Sequence, residues 1–262
     1  MAAPGGVSVS VLQYRSDYTN RSIEIKVTNA GDRPVLVSRA ALSSTAFTGD
    51  TAWTSRDRAD ETSINPGTST DLPAVLTASA CPGREPFRST ARLDLRRADG
   101  TLGRTAALPV QDPFGSILQV HREDCRRAAA LAVADLALLE PVRTERRGRA
   151  LVGLLDLRMT PTGHPGTLTL ESIGPTTLLS PPKGDTWTIG RQVDAASGPQ
   201  TVTLELRAAR CDPHAIAEDK LGTVMSLKLQ VDDGESGIVT VAADPRLRQQ
   251  LQTFVHDACA RS

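Results

Sequence analysis

Chemistry could gather in the stretch LRAARCDPHAIAEDKLGT at 206–223, in a chain with only four cysteines and four histidines. It carries Cys211 and His214 among Asp212, Glu218 and Asp219, and a second histidine, His256, precedes Cys259 near the end of the sequence. If a disulfide drew Cys211 to Cys259, these carboxylates and His214 would approach His256 and Asp257. Two imidazoles with carboxylates suit zinc or copper. On that reading His214, His256 and Asp212 hold a metal, and the protein binds or delivers it. The plainer reading is an Asp-Pro turn leaving a strand, its polar residues solvated. Only Cys211 has a counterpart elsewhere in the chain, so a site here would belong to the second half alone.

Other candidates point away from catalysis. No G-x-S-x-G, H-E-x-x-H, P-loop or dinucleotide glycine motif occurs. Ser236 in DDGESGIV lies within turn chemistry, and His121, His164, His214 and His256 leave few bases for a triad. Trp53 and Trp187 recur in related segments; a sugar platform needs exposed aromatics, yet only 3% of residues are aromatic, so both read as core anchors. The arginine runs RRADGTLGR (96–104) and RTERRGR (143–149) could meet an acidic polymer, but interspersed acids favour a solvated face. Thirty basic against thirty acidic residues leave no field for nucleic acid, and stacking aromatics are scarce. The apolar run AAALAVADLALL (128–139) is too short to span a membrane. No cofactor is implied.

The elements that would position these residues are repeated. TGDTAWTSR (48–56) matches KGDTWTIGR (183–191), and LTASACPG (76–83) matches LRAARCDP (206–213). QDPFGSILQVHREDC (111–125) matches ADPRLRQQLQTFVHDAC (243–259), in the same order and at similar offsets. One module therefore occurs twice, over 1–126 and 127–262. GVSVSVLQYR alternates with period two, as a half-buried strand does. SIEIKVTNAGDRPVLVSRAAL and ALVGLLDLRMTPTGHPGTLTLESI each read as two strands joined as a hairpin. So do the segments around Asp99-Gly100 and Asp233-Gly234. Short strands at this spacing predict an all-β chain of two tandem antiparallel sandwiches. Each module should end in a short helix capped by Asp112-Pro113 or Asp244-Pro245. Phe114, Ile117, Leu118 and His121 follow helical spacing in the first, and Leu247, Leu251, Phe254 and Val255 in the second. RRAAALA then reads as a short connection to a strand beginning VADLALL.

The VTNAGDRPVLV hairpin and the INPGTSTDL turn before a strand resemble the Ig-like sandwiches of bacterial envelope proteins. The resemblance covers architecture in both halves and implies a setting without implying an activity.

The four cysteines allow three full pairings. The repeat selects Cys81 with Cys125 and Cys211 with Cys259, each tying a strand end to a helix end. Reduced thiols or a four-cysteine metal site are the rivals, but no CxxC pair occurs. Each bridge should stabilise the fold by about 4 kcal/mol through the unfolded chain. Disulfides imply an oxidising compartment, hence export with a signal segment absent from this chain. The expected protein is a non-enzymatic, exported envelope component, secreted or envelope-attached, contacting a protein or polymer. Peptide mass spectrometry without reduction should recover 81–125 and 211–259 linked pairs; free thiols or crossed pairs would show that the repeat misleads.

Overall fold

The computed structural model describes residues 6–14, 17, 21–53, 61–97, 104–212 and 222–260. The chain divides into two compact units, Met1–Cys125 and Arg126–Ser262.

In unit 1, β1 (Val7–Leu12) pairs with β2 (Ser22–Asn29), and β2 pairs with β6 (Thr68–Val75). The facing layer is centred on β3 (Val35–Ser44), which pairs with β4 (Thr51–Trp53), β5 (Thr62–Ile64) and β7 (Ser89–Arg97). β7 continues to β8 (Arg104–Gln111). Alternation decides what lies between the layers: Val7, Val9 and Val11 of β1 and Ile23, Ile25 and Val27 of β2 are buried. They meet Ala40, Leu42, Leu93 and Leu108 of the other layer in one core. One pair departs from the antiparallel expectation. β1 runs parallel to β8 at Val9↔Val110 and Ser10↔Gln111, which joins the two layers along that edge.

Unit 2 has two separate four-stranded antiparallel sheets. The first contains β9 (Ala134–Arg147), β10 (Ala150–Pro161), β14 (Gln200–Ala208) and β12 (Leu179–Ser180). The second contains β13 (Trp187–Asp194), β11 (Thr167–Ile173), β15 (Val224–Val231) and β16 (Gly237–Ala242). The orders β6-β2-β1 and β14-β10-β9 correspond, as do β4-β3-β7-β8 and β13-β11-β15-β16. The repeat in sequence is thus also a repeat in strand order. Trp187 is buried in the second core and donates its indole N–H to the Glu205 carbonyl at 2.7 Å. Trp53 is half-buried against the first core.

Expectations change in two places, the turns at 22–42 and 150–173 and the first helix. The segments 22–42 and 150–173 are strand pairs by sequence, but neither is a hairpin. β2 and β3 belong to different layers, as do β10 and β11. The turn is an arch between layers, and Asn29 closes the first one by donating to the carbonyls of Arg33 and Ile64 at 2.8 and 2.9 Å. The hairpins β7–β8 and β15–β16 are paired as expected.

The second change concerns RRAAALA. It is not a connection, because α1 (Ser116–Val133) runs through it to the first residue of β9. Alanine and leucine after Cys125 are strong helix formers with no breaker among them. Pro113 also precedes the helix: Asp112 accepts from the backbone N–H groups of Ser116 and Ile117 at 2.8 and 2.9 Å. Phe114, in that turn, is 76% exposed and does not join the core. The second helix, α2 (Pro245–Cys259), begins as expected, with Asp244 accepting from the N–H groups of Arg246 and Leu247. Leu247, Leu251, Phe254 and Val255 are its buried stripe.

Gly153 on β10 makes room for the one aromatic in this stripe, since a Cβ there would lie 3.1 Å from the Phe254 ring. Phe254→Ala should destabilise unit 2 by about 3–5 kcal/mol, the usual range for deleting a buried aromatic ring. Urea titration followed by Trp187 emission, in a Trp53→Phe background, measures it.

Candidate functional site

Both cysteine pairs are disulfides, Cys81–Cys125 and Cys211–Cys259, with Cα atoms 5.6 and 5.3 Å apart. Of the proposed metal ligands in the second half, His214 lies outside the described residues, with Glu218 and Asp219. Asp212 stands 3.4 Å from Arg210 Nε, and His256, 78% exposed, stands 3.4 Å from Asp257. Among the described residues, no group of three potential ligands includes Asp212 or His256.

Such a group occurs instead in unit 1, where Cys81, His121 and Cys125 offer donor atoms within 4.8 Å of one another. His121 and Cys125 sit four apart on α1, so one helix face presents both. Cys81 comes from the segment after β6. His121 is only 5% exposed. Its Nε2 lies 3.1 Å from the Ala80 carbonyl and 3.5 Å from Cys125 Sγ. Phe87 leans on the ring at a centroid distance of 4.4 Å. Gly83 lies against the imidazole so closely that a Cβ would come 2.6 Å from Nε2. Asp124 fastens the helix to the same segment, accepting from Ser79 Oγ at 2.6 Å and pairing with Arg21 at 2.8 Å. The i, i+4 spacing of His121 and Cys125 is visible in the sequence, and the repeat already joins Cys81 to Cys125; the fold adds the burial of His121 against that bond.

Beside this cluster a cavity of about 460 Å3 opens between the segment entering β7, the end of β8 and the start of α1. Pro86, Phe87, Val110, Ile117 and Leu118 supply apolar walls, with Glu85, Ser89 and Asp112 also lining it. Glu85 is held by Arg122 through two bonds of 3.0 and 2.9 Å, and Asp112 is committed to capping α1. The cavity therefore offers hydrophobic contact bordered by carboxylates that already have partners.

Among the described residues the remaining candidates resolve into surface structure; 98–103 of the first arginine run lie outside them. Arg143 makes a two-bond pair with Asp156, and Arg147 with Glu205. The Arg143 guanidinium, helped by Thr203, holds the Asp156 carboxyl below its ordinary range, and Arg147 does the same to Glu205. These two arginines of the 143–149 run thus neutralise acids on their own sheet. Ser236 donates to Glu171, whose carboxylate is pushed down by Lys228 at 2.7 Å and by Ser236 itself. A carboxylate stabilised in this way is a poor base for a serine nucleophile.

No protein-family model and no curated protein matches the chain. Among solved structures, it is similar to red sea bream transglutaminase at 14% identity, covering 92% of this chain and 32% of that one, with a TM-score of 0.23. It therefore spans about a third of that enzyme's length. A second likeness is to the CsuC–CsuE chaperone–tip adhesion subunit pre-assembly complex of Acinetobacter baumannii pili. Identity there is 13%, coverage 89% and 97%, and the TM-score 0.22. A third is to the calcium binding domain CBD12 of CALX1.1, at 12% identity, 92% and 87% coverage and a TM-score of 0.23. None of these likenesses assigns a role to any residue.

One buried carboxyl in unit 1 has a measurable consequence. Glu24 of β2 is 8% exposed, and its Oε2 has no hydrogen-bond partner among the described residues. Burial above all, then the charges of Asp17 and Asp71, raise its pKa. The folded state therefore holds this proton more tightly than the unfolded chain. The resulting stability is complete below the unfolded pKa of about 4.3 and is lost as pH rises through the folded value. Glu24→Gln, which stays neutral, should melt above the wild type at pH 8. That advantage should vanish near pH 4 in paired thermal melts.

Proposed function

We propose that this protein is an exported, non-enzymatic component of the bacterial cell envelope that binds a protein or polymer partner through unit 1. The observation that carries this reading is the cavity beside α1. Its volume falls in the range of about 300–1,000 Å3 usual for small-molecule pockets, so it would take one apolar group of the partner, and its walls are mostly apolar. Its flanking carboxylates are occupied in ion pairing and helix capping, which leaves the apolar walls as the contact surface. Two disulfides and a duplicated sandwich support an oxidising, extracytoplasmic setting. No helix among the described residues is long and apolar enough to cross a membrane. The metal-delivery reading at Asp212, His214 and His256 has no observation among the described residues in its favour.

Leu118 is half-buried on the cavity wall and should tolerate a charge without loss of fold. Wild-type protein immobilised against an envelope extract should retain a partner that Leu118→Glu releases, while both melt at the same temperature. Turnover of an envelope substrate, abolished by a single substitution, would overturn the proposal.

A further inference from the structure

The two disulfides are equivalent in the repeat, but their described surroundings differ. A His-Cys-Cys group forms at Cys81–Cys125, and among the described residues no such group forms at Cys211–Cys259. We propose that unit 1 carries a redox-gated metal site: once the Cys81–Cys125 bond is reduced, both sulfurs and the His121 imidazole hold a zinc-class dication.

The donor set and its support both fit. The Ala80 carbonyl can only accept, so the Nε2 beside it, 3.1 Å away, carries the ring proton. That leaves the lone pair on Nδ1, which lies 3.9 Å from Cys125 Sγ against 3.5 Å for Nε2, so a small turn of the ring brings it to the metal. A histidine whose other ring nitrogen donates to a backbone carbonyl has the outer support usual for metal-ligating imidazoles. Gly83 and Phe87 hold the ring in place from two sides. Two thiolates on one tetrahedral zinc stand about 3.8 Å apart, given Zn–S bonds of about 2.3 Å. With Cα atoms 5.6 Å apart, side-chain rotation alone reaches that separation.

The gate follows from exposure. Cys81 is exposed and Cys125 half-buried, so an incoming thiolate reaches Cys81 Sγ and Cys125 leaves. A dithiol reductant supplies two electrons and two protons: its own sulfurs become a disulfide, and Cys81 and Cys125 become thiols. Metal binding then releases those two protons to solvent, giving a Cys2His set with one position left for water or an added ligand. In the oxidised state neither sulfur can serve as a thiolate ligand, so the same residues are a staple or a metal site according to redox state.

The test uses the full chain reduced with a phosphine and titrated anaerobically with Co2+, then with Zn2+ in competition. Expected is one Co2+ per chain with thiolate-to-cobalt charge-transfer absorption, displaced by Zn2+. Cys211→Ser/Cys259→Ser should keep this signal, and Cys81→Ser/Cys125→Ser should abolish it. His121→Ala should weaken binding by more than about tenfold, the lower end of what even an outer-shell partner contributes. If reduction unfolds unit 1, Zn2+ should restore its β-type circular dichroism in the wild type but not in His121→Ala. The proposal fails if no charge-transfer band appears. It also fails if the band depends on Cys211 and Cys259, or if His121→Ala binds as tightly as the wild type.

Discussion

The bond between Cys81 and Cys125 holds α1 against the first sandwich, and the local architecture of that unit depends on the attachment. It places the first turns of the helix where Ile117 and Val120 join the core. It keeps His121 buried between Phe87, Gly83 and a backbone carbonyl. It also sets the outer wall of the cavity, because Ile117 and Leu118 face the segment that enters β7. The ion pairs of Asp124 with Arg21 and Arg122 with Glu85 reinforce the same attachment from the surface. Such exposed pairs contribute up to about 1 kcal/mol each, so the covalent link dominates.

A chain with so few aromatics needs this kind of closure. Its layers are built from valine, leucine, isoleucine and alanine, and a helical cover adds apolar area that the strands alone do not bury. The two copies use their covers differently. In unit 2, α2 buries Leu247, Leu251, Phe254 and Val255, and the Phe254 ring packs over Gly153. In unit 1 the smaller Ile117 and Val120 seat the helix, and an open cavity remains at its edge. Divergence of the two helices thus leaves one copy closed by a large ring and gives the other a concave surface with a buried imidazole beside it.

The arginines at 143 and 147 illustrate why charge runs mislead when read along the chain. On β9 they appear as cation density, but antiparallel pairing sets Arg143 opposite Leu154 and brings its side chain to Asp156 on the neighbouring strand. Arg147 reaches across to Glu205 on β14. Two-bond guanidinium–carboxylate pairs satisfy both partners and take these two charges out of reach of an acidic polymer. The same holds for Ser236, whose hydroxyl is spent on Glu171.

Much of this protein was legible from residue order alone. Period-two alternation marked β1, Asp-Pro marked the start of α2, and the in-register repeat chose the two disulfides from three pairings. These signals are local or rest on self-similarity, and neither requires knowing what lies across a core. Strand pairing followed for the β7–β8 and β15–β16 hairpins but not at 22–42 or 150–173, because an arch and a hairpin share the same turn residues and differ only in which layer the second strand joins. The extent of α1 was equally hidden: helix propensity continues past Cys125, whereas the repeat suggested a stop there. The candidate site shifted for a related reason. Cys211, Asp212 and His214 drew notice by proximity in sequence, whereas the repeat joined Cys81 to Cys125 but did not show that helix packing buries His121 against that bond. Sequence determined which residues repeat and which alternate; tertiary packing decided which of them face one another, because long-range contact depends on how whole layers and helices close over a common core.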